Sequence, residues 1–369
     1  MRTLRNILCL LLSLLLATSV LVACSPSQPD DKTEPPSPDS TTSNAQGLQF
    51  KLQGDTYTIT GYQGTVDVLT IPSKHQGVSV TAIGDAAFKD CQTLVEVSLP
   101  DTIETIGNQA FYSCTALETL TLPNGLASIG DHAFDGCTKL SGVTLPDTLQ
   151  SIGTFAFAFT GIQSISIPAS VMEIGIGAFS ACKKLNTILV DSDNPTYHAS
   201  ENCLIHTEDK LLLAVSTDCI IPVDADVTAI GDNVFAYRDQ LTSVIIPDQI
   251  MQIGRNAFMG CTNITTITIP DSVVEIGEGA FSFCHTLVRV EIPDSVTEIK
   301  DSTFSYCSSL TEIILHNTMT VIGAQSFSNC KTLASIVFLG TEGEWAQIFL
   351  GDAWDEHTGA YTLDFRPEA

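Results

Sequence analysis

Eight of the twelve cysteines recur at one place in a 23-residue period: Cys91, Cys114, Cys137, Cys182, Cys261, Cys284, Cys307 and Cys330. Three kinds of chemistry suit cysteines so placed. Neighbouring coils of a stacked repeat lie about 5 Å apart, within the Cα separation that a disulfide spans. A metal site needs ligands that converge on one point, whereas a column spreads them along an axis. A thiol can also serve as a small buried apolar side chain. Thr160 and Arg238 stand in the same slot of two coils, so a thiol is not obligatory at every level. The column is read as free, buried thiols, which implies a reducing or anoxic habitat. Cys203 and Cys219 lie outside it as a pair apart.

The other chemistry-bearing residues assemble no site. His75, His132, His198, His206, His285, His316 and His357 lack metal-ligand spacing. Asp191, Asp193 and Asn194 begin like a calcium loop, but Thr196 stands where an EF-hand needs glycine. No Ser-His-Asp or Cys-His arrangement emerges, and no Gly-rich phosphate loop. The expectation is no enzyme, no metal and no cofactor.

What positions these residues is a repeat. Ile83–Gly84, Ile106–Gly107, Ile129–Gly130 and Ile152–Gly153 are 23 residues apart, and Ile174–Gly175 follows after 22. The pattern returns at Ile230–Gly231 and runs through Ile253–Gly254, Ile276–Gly277, Ile299–Lys300 and Ile322–Gly323. Each copy reads Ile-Gly, a small residue and Phe, then Cys, then Leu-x-x-Val-x-Ile-Pro, with two strand-like segments. A 23-residue unit has too little apolar surface to fold alone, so stacking must turn equivalent positions into buried columns. The Phe column, from Phe88 to Phe327, is read as a core spine. An island at residues 191–226 breaks the period. Residues 47–82 and 339–369 are read as N- and C-terminal caps around a solenoid at 83–338, since bare end coils would expose apolar columns.

This layout resembles the BspA-like, treponemal-type leucine-rich repeats of bacterial surface proteins, over about residues 48–365. The resemblance implies a β-rich solenoid of right-handed coils, horseshoe-shaped or gently curved, with a β-hairpin in the island. It also implies an adhesin-like role toward host or matrix proteins or other bacteria. The N-terminus carries a second resemblance. Arg2 and Arg5 precede an apolar run, as in a secretory signal peptide at residues 1–23. Leu21–Val22–Ala23–Cys24 is similar to a bacterial lipobox, which makes Cys24 the lipidation site. Ile7–Ala23 is short for a span of about 20 apolar residues. Residues 24–46, rich in Ser, Pro, Thr and Asp, are expected to form a disordered tether. The chain would then sit on the outer face of the bacterial membrane, touching lipid only through its anchor.

A net charge of −26 disfavours nucleic acid as a partner. The residue between Val and Ile of each strand should point outward. In that column Ser and Thr dominate, but Leu189, Ile245, Ile314 and Val337 are apolar, and Glu291 lies among them. These five are the expected binding face for a protein or glycoprotein, the chain acting as a monomer. The alternative is a structural surface-layer or scaffold protein with no discrete ligand.

Overall fold

The computed structural model describes residues 41–43, 46–223 and 227–367, so the stretch read as a signal peptide, Cys24 and most of the stretch read as a tether lie outside the described residues. Thr41–Ser43, the end of the segment read as tether, instead pairs antiparallel with Gln49–Lys51. The N-terminal cap therefore begins earlier than the composition suggests. Leu48–Gln53 and Thr56–Tyr62 complete it as a hairpin, and Thr56–Tyr62 turns the pairing parallel by meeting Val78–Ile83.

From there the chain is a β-solenoid. One parallel ladder is built by the residues just before each Ile-Gly glycine: Ala82–Ile83, Thr105–Ile106, Ser128–Ile129, Ser151–Ile152 and Glu173–Ile174. A second ladder is built from the Val-x-Ile segments, such as Val68–Thr70, Glu96–Ser98 and Thr119–Thr121. Alternation decides which side chains enter the core: Val97 and Leu120 are buried, while Glu96, Thr119 and Thr121 are exposed.

A third side of each coil consists of turns and is not apparent from hydrophobic periodicity. Around Phe111, the N–H groups of Gln109, Phe111 and Ser113 donate to Asp131, Ala133 and Asp135 of the next coil, at 2.7–2.8 Å. The intervening N–H groups of Ala110, Tyr112 and Cys114 close tight turns within their own coil. The alternation demands a left-handed residue two places either side of each Phe, as at Gln109 and Ser113, both with φ of 55°. Non-glycine residues adopt this conformation at a cost. The hydrogen bonds between coils hold them there.

The core is the Phe spine. Phe88 to Phe179 stack in one run and Phe235 to Phe327 in another, with ring centroids 4.8–5.7 Å apart. The island separates the runs only on some sides. On the turn side, Ser180 Oγ donates to the Asn233 carbonyl at 3.0 Å and Lys183 pairs with Asp239 at 2.7 Å, so these coils adjoin. On the first ladder the island inserts an antiparallel meander, Tyr197–Ser200, Cys203–His206 and Leu211–Val215. Leu211–Leu212 then hands the ladder on to Ala229–Ile230 in parallel. Helix is confined among the described residues to Glu342–Trp345 in the C-terminal cap, started by a capping box of Thr341 and Glu344.

The Ile-Gly glycines mark where coils approach most closely. A Cβ on Gly277 would lie 2.5 Å from the backbone N of Arg255 and the carbonyl C of Gly254. The next coil carries Lys300 in this slot. Paired strands link Gln252–Ile253 to Glu275–Ile276, and Glu298–Ile299 to Val321–Ile322, but none link Glu275–Ile276 to Glu298–Ile299. The extra side chain opens that one step.

Gly277→Ala is expected to cost roughly 1–3 kcal/mol from overpacking. Gly142→Ala, with no atom within 4 Å of the added carbon, should be close to neutral. Phe258→Ala removes a ring stacked on both sides, and should cost roughly 3–5 kcal/mol. Urea unfolding of the three variants checks all three values.

Candidate binding surface

The outward positions of the Val-x-Ile ladder do not all face solvent. Ile245 is 84% exposed and Leu189 56% exposed, and Glu291 is also exposed. Ile314 and Val337, expected on the same face, are 9% and 0% exposed. The difference lies in the ladder. Near the C-terminal cap its strands lengthen to five residues, Glu312–His316 and Ser335–Leu339. There Val337 pairs with Ile314 on one side and with Asp364 of the last strand on the other. Ile245 touches the ladder through a single bridge to Thr268. Ile314 and Val337 therefore leave the candidate surface.

The island supplies a replacement. Ile220–Ile221–Pro222 matches Ile245–Ile246–Pro247 in sequence, and its burial alternates in the same way, with Ile220 68% exposed and Ile221 buried. Backbone and side-chain bonds fix it as a level of the stack. Thr217 N–H donates to the Leu185 carbonyl at 2.7 Å, and Gln249 Nε2 donates to the Pro222 carbonyl at 2.7 Å. Leu189, Ile220 and Ile245 thus stand on three successive levels as an exposed apolar stripe. Two coils beyond Ile245, Arg289 is ion-paired with Glu291 at 3.2 Å and with Glu312 at 2.7 Å, which makes a charged margin. The signal for Ile220 was present as the repeated Ile-Ile-Pro, but it lay inside a segment that breaks the period.

The cysteine column is placed for structure. Seven of its thiols, from Cys114 to Cys330, donate to the Phe carbonyl of the preceding coil at 3.0–3.2 Å. Each such carbonyl already accepts a bond within its own coil, from a backbone N–H in six cases and from the Thr160 hydroxyl at Phe157, so the thiol occupies its second lone pair. Burial pushes the Cys182 and Cys284 thiols up, and Cys261 to about 12. Cys91, in the first full coil, is only half-buried. Among the histidines, His132 binds Asp135 at 2.8 Å, and His75 lies flat on Phe50 with centroids 4.0 Å apart. Among the described residues no three metal-binding side chains converge.

A model of the BspA-type leucine-rich repeat region matches residues 66–196 and 228–345, in six copies. The chain belongs to the BspA-type leucine-rich repeat family. The stretch that this family model leaves unmatched, 197–227, is most of the island. A leucine-rich cell surface protein of Faecalibacterium prausnitzii is similar in structure, with a TM-score of 0.62, 30% identity, and coverage of 84% of this chain and 97% of that one. A leucine-rich repeat protein of Eubacterium ventriosum has a TM-score of 0.67 at 20% identity, over 86% of this chain and 94% of that one. The pneumococcal vaccine antigen PcpA shares the fold, with a TM-score of 0.54 at 17% identity over 89% and 88%. No curated protein matches the chain. The expected BspA-like solenoid is thus what the chain forms.

In this BspA-type chain the seven buried column thiols, Cys114 to Cys330, should resist alkylation in the native state, while the half-buried Cys91 and Cys219 react first. Mass spectrometry before and after unfolding reads the order. A thiol pushed up by burial keeps its proton in the fold. The stability it contributes is complete below about pH 9 and is lost as pH climbs from 9 towards 12 for Cys261. Unfolding midpoints should therefore fall across that alkaline window, and Cys261→Ala should flatten part of the fall.

Proposed function

We propose that this chain is a lipid-anchored bacterial surface protein that binds a protein or glycoprotein partner, adhesin-like, on the strand face centred on Leu189, Ile220 and Ile245. The observation that carries the reading is the apolar stripe itself. Three large aliphatic side chains on consecutive levels stay in water where Ser and Thr fill most equivalent positions. Isolated exposed apolar residues are ordinary, but a contiguous row is a mark of an interaction surface. Glu291 and its pairing with Arg289 supply a polar rim of the kind that surrounds a desolvated centre. A ladder face is extended and suits a macromolecule better than a small molecule, which needs a concave pocket.

Surface location is supported by the F. prausnitzii relative, described as a cell surface protein. It is supported also by the lipobox-like run that ends at Cys24. Anchoring is tested by Cys24→Ser: the variant is expected to lose membrane association in cell fractionation, and an unchanged membrane-bound, processed form would refute the anchor.

Binding is tested first by capture from extracts of host matrix, mucin and bacterial surfaces, then by affinity measurement with the purified partner. Binding energy concentrates in a few central desolvated residues. Ile245→Asp and Ile220→Asp should each weaken binding about tenfold or more, equivalent to about 1.4 kcal/mol. Ser98→Asp, far along the same face, should leave it unchanged. Equal affinity for all three variants would place the partner elsewhere, and no saturable partner across the panel would favour a scaffold role.

A further inference from the structure

Arg238 stands in the slot that cysteine fills in eight other coils. It is 4% exposed. Its Nη2 donates to the Val215 carbonyl, while Nε and Nη1 have no hydrogen-bond partner. A buried charge persists where an opposite charge or full hydrogen bonding compensates it. Burial pushes the pKa of this guanidinium down, and the thiols of Cys182, Cys219, Cys261 and Cys203 oppose that shift. Two of these are committed elsewhere, since Cys182 donates to the Phe157 carbonyl and Cys261 to the Phe235 carbonyl. The other two form a pair. Cys203 Sγ lies 3.4 Å from Cys219 Sγ and donates its hydrogen to it. Val215, which holds Arg238, is the cross-strand partner of Cys203.

We propose that Cys203 and Cys219, whose sulfurs lie 3.4 Å apart, form a thiol–disulfide exchange site whose substrate is a small disulfide. This does not rest on the binding role. Cys219 is half-buried and accessible, whereas Cys203 is buried and is the hydrogen donor of the pair. That hydrogen bond, with burial, pushes the Cys203 thiol up, Glu201 adds to the rise, and Arg238 opposes it. Cys219 is therefore the attacking sulfur and Cys203 the resolving one.

The chemistry balances with the small disulfide as oxidant. Cys219 gives its proton to solvent and, as thiolate, attacks one sulfur of R–S–S–R. A protein–S–S–R bond forms, the original S–S bond breaks, and the first RS⁻ leaves and takes up a proton. Cys203 then gives up its proton and attacks the Cys219 sulfur of the mixed disulfide. The second RS⁻ leaves and is protonated. Two protein thiols are oxidised by two electrons, and the small disulfide is reduced to two RSH. Because Cys219 directly precedes Ile220, the cross-link ties the island level of the apolar stripe to the meander.

The test uses the full chain, reduced anaerobically and then equilibrated with oxidised glutathione. The expected product has lost two hydrogens, yields a Cys203–Cys219 cross-linked peptide, and keeps its column thiols free for alkylation after unfolding. Cys203→Ser should instead trap one glutathione on Cys219. Cys203 and Cys219 remaining alkylatable in excess oxidised glutathione would overturn the site, as would a stable glutathione adduct on Cys219 in the parent chain. Failure of Cys203→Ser to trap glutathione would overturn it too.

Discussion

Everything in this molecule depends on how closely one coil lies on the next. No single coil has an inside. Its Phe, Ile and Leu side chains are buried only because the coils above and below cover them. That close approach sets the ring-to-ring spacing of the Phe spine and the glycine before each tight corner. It also sets the direct reach of a thiol to the carbonyl of the preceding coil. The left-handed residues of the turn side follow from the same demand, since only alternating backbone signs aim every second N–H at the neighbouring coil.

Much of this could be read from the residue pattern, because a stacked fold repeats its constraints at a fixed interval. The Phe column, the Ile-Gly corners and the buried thiols each reflect a constraint met in nearly every coil. What escaped was whatever depends on neighbours rather than on position. Ile314 and Val337 occupy the same slot as Ile245, yet beside the cap they are buried while Ile245 is bare. Ile220 performs the reverse. It joins the exposed row from within a segment whose irregular spacing hides its equivalence. The turn side was missed for another reason. Its left-handed positions are filled mostly by residues such as Gln109, Ser113 and Tyr306 rather than by glycine, so composition gives no cue.

The island reconciles two demands. On the turn side the coils of Phe179 and Phe235 adjoin through the Ser180–Asn233 hydrogen bond and the Lys183–Asp239 ion pair. On the ladder sides an extra level appears, with its own core-facing residues and its own outward isoleucine. The insertion thus adds exposed apolar surface to one face, while side chains join the coils on another. The coil that follows it carries a buried cation, Arg238, in a column otherwise made of thiols and Thr160.

The unpaired step beneath Lys300 has a mechanical meaning. Nearest-neighbour coupling gives a solenoid its resistance to being pulled open, and this step lacks one of its ladder connections. Across it the coils still share the turn-side bonds from Gly279 and Phe281 N–H to the Asp301 and Thr303 carbonyls, and the Lys300–Glu275 ion pair. The joint is therefore a hinge, open on one side and fastened on another.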